Sequence, residues 1–226
     1  MTDPTAGGSG TPFRVAFVPG VTVSKWARAW AERVPEVPLE LVPVSEPEQL
    51  SVLREGRADM SFVRLPVDDD QLRLIPLYRE VPVVVVRTDH VLAVFDEVDI
   101  ADLATETSVV AGSPKEAIDL IAISGTGVVV VPQSVARLYR RKDVTHVPVT
   151  GVAESQIGLA WWARPADERI ETFIGIVRGR TARSSRGEQP APQRPPPAKR
   201  TPAAKRNPAA AKRRSPGKPG RRANGR

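Results

Sequence analysis

The stretch Phe13–Glu36, FRVAFVPGVTVSKWARAWAERVPE, constrains the fold more than any other part of the chain. Its pattern predicts a buried strand, Phe13–Val18, followed by a glycine turn and an amphipathic helix. Trp26, Trp30 and Val34 recur every four residues, which places them on one helical face. A helix that starts at the carboxyl end of a strand can bind anions or small ligands, and it is also an ordinary part of an α/β core.

Strand-like and helix-like segments alternate along the rest of the chain. Further strands are predicted at Leu39–Val44, Asp59–Val63, Leu74–Glu80, Val81–Val86, Val109–Gly112, Val128–Val131, Val144–Val149 and Gln156–Ala163. Helices are predicted at Ser45–Gly56 and Ser113–Ser124, each opened by a capping box, and at Asp99–Leu103, Gln133–Arg141 and around Ile170–Val177. This alternation predicts an α/β fold with a largely parallel sheet and helices on both sides.

Composition excludes several kinds of site. The 226-residue chain has no cysteine, which excludes disulfides, cysteine–metal sites and thiol catalysis. His90 and His146 are its only histidines, and neither has a partner at a motif spacing, so we predict no catalytic residues. The acidic run Asp68–Asp70 lacks further ligands at a metal-binding spacing, so we interpret it as a solvated loop and predict no metal or cofactor.

Neither a secretory signal nor a membrane span is visible in the sequence. Residues 1–12 form a polar leader, predicted to be disordered, without the basic and apolar parts of a signal peptide. No apolar run approaches the roughly 20 residues that are needed to cross a bilayer. We therefore expect a cytoplasmic protein without a membrane partner.

Charge divides the chain into two parts. From Arg178 to Arg226, sixteen Lys and Arg residues accompany one acidic residue, Glu188, for a net charge of +15. Met1–Val177 contains seventeen basic and twenty-five acidic residues, for a net charge of −8. We therefore predict an acidic globular body, residues 13–177, and a separate basic tail, residues 178–226.

The tail contains three copies of an A-K-R unit that is followed by proline, AKRTP, AKRNP and AKRRSP, the last with one more residue before the proline. Nine prolines between Pro190 and Pro219 forbid a regular helix, and few apolar residues are available for a core, so we predict a disordered segment. The tail resembles the Lys/Pro/Ala-rich tails of linker histones and of some nucleoid proteins. That resemblance implies association with the nucleoid.

We expect the tail to bind DNA through its phosphate backbone, with little sequence preference. The predicted nucleic-acid-binding residues are Arg178, Arg180, Lys199, Arg200, Lys205, Arg206, Lys212, Arg213, Arg214, Lys218, Arg221 and Arg222. The charge alone also allows binding to anionic membranes or acidic proteins, or a role in solubility. The tail has no aromatic residue, which argues against a specialised single-strand binder.

The order and spacing of the body segments resemble the effector-binding (substrate-binding) domain of LysR-type transcriptional regulators. The matching stretches are FRVAFVPG, WAERVPEVPLELVPV, QLSVLREGRADMSFVR, LIPLYREVPVVVVRTDHVLA, VDIADLA, AIDLIAISGTGVVVVPQSVARLYRRKDV and IGLAWWARPADERIETFIGIV. The resemblance implies a two-lobed fold like that of type 2 periplasmic-binding proteins. The first lobe would comprise residues 13–79 and 147–177, and the second lobe residues 81–144.

Two features of the chain differ from the family pattern. The winged helix-turn-helix by which these regulators bind DNA has no counterpart before Phe13. Between Gly112 and Ala117 the family usually has a further helix and strand, so we expect a truncated second lobe.

The resemblance also implies that a small, usually anionic, molecule binds between the lobes. The positions that match the family's ligand site are Thr22, Val23, Ser24, Arg64, Pro66, Gly112, Ser113 and Thr150. Hydroxyl and backbone N–H groups at a helix start, together with the positive charge of Arg64, would hold a carboxylate. The residues alone also allow a second interpretation, in which Ser24 and Ser113 cap helices and Arg64 forms a surface ion pair.

These observations lead to a hypothesis and an alternative. The hypothesis is a non-enzymatic, LysR-like effector-binding protein that binds a small anionic molecule and associates with DNA through its tail. The alternative is a stand-alone dimerisation or interaction module that pairs with a full-length LysR-type regulator. A homodimer is also expected, because the family's domains associate with a first-lobe helix against a second-lobe strand. An enzyme of the same fold is a third interpretation, against which the missing catalytic motifs count.

Overall fold

The computed structural model describes residues 11–163 and 167–179, which form two β-sheets with helices packed against them. The strands are β1 (Phe13–Phe17), β2 (Leu39–Pro43), β3 (Met60–Leu65), β4 (Leu72–Glu80), β5 (Pro82–Arg87), β6 (Val98–Asp99), β7 (Val129–Pro132), β8 (Val144–Thr150) and β9 (Ser155–Trp162). The α-helices are α1 (Ser24–Arg33), α2 (Ser51–Arg54), α3 (Pro114–Ser124), α4 (Gln133–Leu138) and α5 (Glu168–Val177). Short 3₁₀ helices lie at Glu46–Glu48, Val91–Val94 and Ile100–Thr105.

Both sheets are mixed, so the prediction of one largely parallel sheet is wrong. The first sheet has the order β2-β1-β3-β9-β4, in which β1 pairs in parallel with β2 and β3, whereas β9 runs antiparallel to β3 and β4. The second sheet has the order β6-β8-β5-β7, and only its β6–β8 pair is parallel. Parallel pairing needs a long crossover connection. The short connections β4–β5 and β8–β9 instead carry the chain from one sheet to the other.

An aromatic cluster forms the core of the first lobe, as the spacing of the tryptophans predicts. Trp30 stacks on Phe13 with ring centroids 4.8 Å apart, and Trp26 stacks on Phe62 at 4.6 Å. Trp30 Nε1 also donates a hydrogen bond to the Val37 carbonyl oxygen at 2.8 Å, which satisfies its polar group inside the core. Such aromatic pairs contribute roughly 0.5–1.5 kcal/mol each beyond the burial of their area, so α1 is firmly held against β1 and β3.

β5 is the centre of the second lobe and is buried on both faces, as its four consecutive valines, Val83–Val86, predict. Val83 and Val85 pack on the side of α3 and α4. Val84 and Val86 pack on the opposite side, with the two later 3₁₀ helices. Successive strand residues point to opposite faces, so one strand contributes to two apolar clusters.

The second lobe extends further along the chain than expected. β8 lies wholly in the second sheet, where it pairs with β5 up to Pro148 and with β6 up to Thr150. The expected return to the first lobe at Val147 is therefore wrong, because this pairing holds the chain in the second sheet as far as Thr150. The chain returns to the first sheet only with β9, which begins at Ser155.

Three predicted segments differ in detail. The capping box of Ser45 and Glu48 is present, but the helix expected as far as Gly56 is divided into a 3₁₀ helix and α2. The strand expected at Val109–Gly112 is absent from the described residues, because Ser108 forms only an isolated bridge to Val128. The helix expected to end at Arg141 ends at Leu138.

The first testable consequence concerns Gly20, which lies in the turn between β1 and α1. Its φ of 95° is unfavourable for other residues, and an added Cβ would overlap Ser134 Oγ of the second lobe. We expect Gly20→Ala to lower the free energy of unfolding by about 2–4 kcal/mol, because backbone strain and steric overlap add. Urea denaturation monitored by tryptophan fluorescence would measure the loss.

Gly56→Ala is the matched control. Gly56 also has a positive φ, 65°, but a Cβ there would meet nothing within 4 Å, so only the strain contributes. We expect a loss of about 1 kcal/mol. Equal losses in the two variants would contradict the close approach between the lobes at Gly20.

Candidate functional site

Two cavities lie between the lobes, on the two flanks of α4. The cavity that we name the Ser113 cavity measures about 290 Å³. It is lined by Pro19, Pro43, Val44, Ser45, Glu46, Pro47 and Arg64 from the first lobe and by Gly112, Ser113, Pro114, Val135 and Tyr139 from the second. The cavity that we name the Thr22 cavity measures about 340 Å³. It is lined by Phe17, Pro19, Gly20, Val21 and Thr22 from the first lobe and by Ser134, Arg137 and Leu138 from the second.

Arg64 is the central charged residue of the Ser113 cavity. It belongs to β3 and is only 7% exposed. Its Nε donates to Glu80 Oε2 at 2.7 Å, Nη1 donates to Glu46 Oε2 at 2.7 Å, and Nη2 donates to the Pro19 carbonyl oxygen at 3.0 Å. The surface ion pair that the sequence allowed is therefore a buried one, and two carboxylates already share the guanidinium.

Glu80 connects the two lobes through one buried carboxylate. It ends β4 and is 5% exposed. Ser134 Oγ of α4 donates to its Oε1 at 2.5 Å, and Ser155 Oγ at the start of β9 donates to its Oε2 at 3.0 Å. Burial acts to raise the pKa of Glu80, but the hydrogen bonds and charge of Arg64, with the two serine hydroxyls, hold that pKa below its ordinary value.

Gln49 fixes the backbone of Arg64. Its Oε1 accepts from the Arg64 N–H at 2.7 Å, and its Nε2 donates to the Arg64 carbonyl oxygen at 3.2 Å. Gln49 lies at the break between the 3₁₀ helix and α2. This contact gives a physical reason for the divided helix, because the side chain at the break is held by β3.

The start of α1 has no side-chain cap. Val23 is the N-cap residue, and no side chain accepts a hydrogen bond from the first turn of the helix. The interpretation of Ser24 as a helix cap is therefore wrong. Thr22 and Ser24 are exposed, whereas the Val23 side chain is buried in the core of the first lobe.

Ser113 both caps a helix and lines a cavity. Its Oγ accepts from the Glu116 N–H at 3.2 Å at the start of α3, which confirms the capping interpretation. The Glu116 carboxylate does not complete the predicted capping box with the Ser113 N–H, because it accepts from the Gly112 N–H instead, at 2.9 Å.

Four of the predicted ligand positions, Val23, Ser24, Pro66 and Thr150, line neither cavity. Pro66 follows β3 and is exposed. Thr150 ends β8, and its Oγ1 donates to the Val98 carbonyl oxygen and to Asp99 Oδ2, both at 3.3 Å. The structure thus brings Arg64, Gly112 and Ser113 together in one cavity and places Thr22 in the other.

The histidines have local structural roles in the described part of the chain. His90 Nδ1 accepts from the Leu92 N–H at 3.2 Å, and its Nε2 lies 3.4 Å from Glu106 Oε2. His146 lies in β8, where burial, with a contribution from the charge of Arg137, lowers its pKa. No group of three or more His, Cys, Asp or Glu side chains within residues 11–163 and 167–179 is arranged to hold a metal ion.

Comparison with known families identifies the body. A family model described as the LysR substrate binding domain matches residues 6–121. The chain belongs to this family. It is a family of regulatory effector-binding domains and not of enzymes.

Solved structures of LysR-type domains share the fold of this LysR substrate-binding domain. The BenM effector binding domain with its effector benzoate is 21% identical, with a TM-score of 0.64 over 79% of this chain and 96% of the BenM domain. A mutant OxyR regulatory domain from Pseudomonas aeruginosa is 20% identical, with a TM-score of 0.61 over 75% and 97% of the two chains. Full-length CbnR complexed with its target DNA is 17% identical, with a TM-score of 0.62 over 75% of this chain and 68% of the CbnR chain.

A search of curated protein sequences gave no significant match. Within the described residues, no helix of the LysR substrate-binding domain is long and apolar enough to span a membrane.

Sequence reasoning missed the residues that surround the predicted ones. Glu46 was interpreted only as part of a capping box, and Glu80 only as the end of a strand. No sequence pattern indicated that Ser134, Arg137 or Tyr139 of the second lobe would belong to the site. The one available signal was the charge of Glu80 directly before the apolar run Val81–Val86, because a carboxylate that is buried there must find a partner.

The predicted nucleic-acid-binding residues fall almost entirely outside the described part of the chain. Arg178 is the exception, and it is exposed directly after α5. Its N–H donates to the Ile174 carbonyl oxygen at 3.0 Å. The other eleven, from Arg180 to Arg222, lie outside residues 11–163 and 167–179.

The second testable consequence concerns the Glu80 carboxylate. We expect Glu80→Gln to lower the free energy of unfolding at pH 7 by about 3 kcal/mol, because Arg64 loses a buried partner. The folded-state pKa of Glu80 is depressed, so its contribution is present above its unfolded pKa, about 4.3, and is lost as the pH falls through the folded value. The difference in the free energy of unfolding between wild type and Glu80→Gln should therefore be smaller at pH 3 than at pH 7.

Urea denaturation at pH 7 and pH 3 would test this expectation. Glu154→Gln is the matched control, because Glu154 forms an exposed ion pair with Arg79 at 3.5 Å and should contribute less than about 1 kcal/mol. If the difference in the free energy of unfolding between wild type and Glu80→Gln is the same at both pH values, Glu80 is not ionised in the folded protein at pH 7.

Proposed function

We propose that this LysR substrate-binding domain binds a small-molecule effector in the cleft between its lobes. The observation that carries the proposal is the pair of cavities on the flanks of α4, each lined by residues of both lobes. A ligand in either cavity contacts residues of both lobes, whose sheets are joined by short connections. Binding energy can therefore act on the relation between the lobes, which is what an effector domain requires.

The Thr22 cavity is the better place for an anionic group of the effector. The start of α1 has neither a side-chain cap nor an acidic residue in its first turn, so the positive end of the helix is not neutralised there. Arg137 lines the same cavity from α4, and no ion pair involves it within the described residues. Thr22 adds a hydroxyl group. Arg64, the cation expected from the sequence, is unsuitable because Glu80 and Glu46 already bind it.

The third testable consequence is that small carboxylates stabilise the protein against heat and that this stabilisation depends on Arg137. In a thermal-shift screen of small carboxylates, with benzoate as the first probe, we expect a ligand at a hundred times its Kd to stabilise the protein by about 2.7 kcal/mol. That gain corresponds to a rise in Tm of several degrees for a domain of this size. Arg137→Ala should weaken binding about tenfold or more, because a charge-assisted hydrogen bond is lost.

Arg140→Ala provides the control for this experiment. Arg140 is also exposed and lies three residues further along the chain, but it lines neither cavity. Its replacement should leave carboxylate binding unchanged. The anion proposal fails if no carboxylate stabilises the protein, or if the two arginine variants bind equally.

We also propose that the basic tail associates with DNA. The proposal is supported by the separation of charge along the sequence, with a net +15 after Val177 against −8 before it. Repeated Lys-Arg pairs bind phosphates by releasing counterions, which requires no defined structure and little sequence preference. Association with the nucleoid in the cytoplasm is part of the same proposal.

The fourth testable consequence is a salt-dependent loss of DNA binding when the tail is removed. We expect the intact chain to bind double-stranded DNA, with log affinity falling against log salt by about 0.9 per phosphate contacted. A chain that ends at Val177 should not bind. A full-length variant with Gln in place of Lys199, Arg200, Lys205, Arg206, Lys212 and Arg213 separates the loss of charge from the loss of length. Equal binding by all three proteins would refute the role of the tail.

Pairing with a second copy, or with another LysR-type regulator, is a further part of the proposal. β7 lies at the edge of the second sheet, where Val130 is 37% exposed. On the first lobe, α1 presents the exposed polar residues Lys25, Arg28 and Glu32. An accessible helix face and a strand edge unpaired within the described residues support association through these two elements.

A further inference from the structure

Glu46 occupies the place that a ligand carboxylate would take on Arg64. Its Oε2 accepts from Arg64 Nη1 at 2.7 Å, and its side chain is 51% exposed while that of Arg64 is 7% exposed. The guanidinium therefore lies at the buried end of the pair and Glu46 at the accessible end. A ligand that enters the Ser113 cavity meets the glutamate and not a free arginine.

The other bonds of Arg64 leave it little capacity for a ligand anion. Glu80 binds Nε and Nη2, and the Pro19 carbonyl oxygen accepts a further bond from Nη2. Two carboxylates thus face one guanidinium, so the three side chains together carry a net charge of −1. A ligand carboxylate in this cavity would be repelled by that charge unless Glu46 moved away.

Glu46 keeps one oxygen for a ligand. No hydrogen bond within the described residues involves its Oε1, whereas Oε2 is held by Arg64. A carboxylate fixed at one oxygen and open at the other is pre-organised to accept from a cationic donor. An ammonium group supplies such donors and also compensates the net charge of the cluster.

The rest of the cavity suits a compact apolar body. Val44, Val135 and Tyr139 lie along its walls with four prolines, and Arg64 and Glu46 are its only charged lining residues. At about 290 Å³ the cavity is at the lower limit of the range of about 300–1,000 Å³ that is usual for drug-sized ligands. A small amine with one ring or a short apolar chain fits this combination of size and charge.

We propose that Glu46 sets the charge selectivity of the Ser113 cavity, which accepts a small organic amine and rejects a carboxylate. The inference rests on the proposed function of the cleft and names the ligand class of one of its two cavities. Glu46 supplies the counter-charge to the ammonium group, and Arg64 orients Glu46. The carboxylate proposed for the Thr22 cavity belongs to a separate position on the other flank of α4.

The fifth testable consequence is an exchange of ligand preference on replacing Glu46. Isothermal titration of the full chain would use two matched probe pairs, benzylamine with benzoate and tyramine with 4-hydroxyphenylacetate. We expect Glu46→Gln to weaken binding of the amines about tenfold or more, because one charge-assisted hydrogen bond is lost. Carboxylate affinity should stay the same or rise, because Arg64 becomes available. Melting temperatures would confirm that the variant is folded.

Two control variants make the outcomes distinct. Glu32→Gln removes an exposed acidic residue of α1 and should leave amine binding unchanged. Arg137→Ala should also leave it unchanged, while weakening carboxylate binding. The inference is overturned if Glu46→Gln binds the amines as tightly as the wild type does. It is also overturned if the wild type binds the carboxylates but neither amine, and the proposed function of the cleft then still stands. If none of the four probes binds, the inference about Glu46 and the proposed function of the cleft are both overturned.

Discussion

The buried pair of Arg64 and Glu80 is the interaction on which the arrangement of the lobes depends. Ions of this kind are expensive to remove from water and are retained only where hydrogen bonds satisfy them well. Here the carboxylate accepts from Arg64, Ser134 and Ser155, which belong to β3, α4 and β9 respectively. The apolar residues of the lobes form separate clusters, with none shared between the two sheets. Among these bonds the one from Ser134 joins the two lobes, and Arg64 and Ser155 of the first lobe hold the carboxylate in position for it.

This use of Arg64 has a consequence for ligand recognition. A LysR-like domain with one cation in its cleft would be expected to bind an anion there, and the sequence led to that expectation. In this chain the same cation binds Glu80, which accepts a hydrogen bond from Ser134 of the second lobe, and it is neutralised by Glu80 and Glu46. The positive character of the cleft lies instead on the other side of α4, at Arg137 and the uncapped start of α1.

The sequence predicts those parts of the fold that depend on neighbours along the chain. The four-residue spacing of Trp26 and Trp30 predicted α1 and its buried face, and the valines of β5 predicted a strand buried on both sides. The capping residues Ser45 and Ser113 were also identified. Each of these signals arises within a few residues, where periodicity and local hydrogen bonding decide the structure.

The strand order and the partners of Arg64 could not be predicted from the sequence, because both depend on contacts between residues that are far apart along the chain. β9 lies between β3 and β4 although about 90 residues separate it from β3 along the chain, and β8 remains in the second sheet because β5 and β6 pair with it. Arg64 was expected to bind a ligand because its position matches the family's ligand site, and the sequence did not show that Glu80 and Glu46 would be its partners. Glu80 lies sixteen residues away and Glu46 eighteen, so only the folded chain brings them together.

The position of α4 makes the two cavities interdependent. Val135 and Tyr139 line one of them, and Ser134 and Arg137 line the other, so this short helix is a wall common to both. A sideways displacement of such a wall enlarges the space on one flank at the expense of the space on the other. Because Ser134 is also bonded to Glu80, the wall is anchored to the carboxylate that joins the lobes. A ligand that moved this short helix from one side would therefore change the shape of the cavity on the other side.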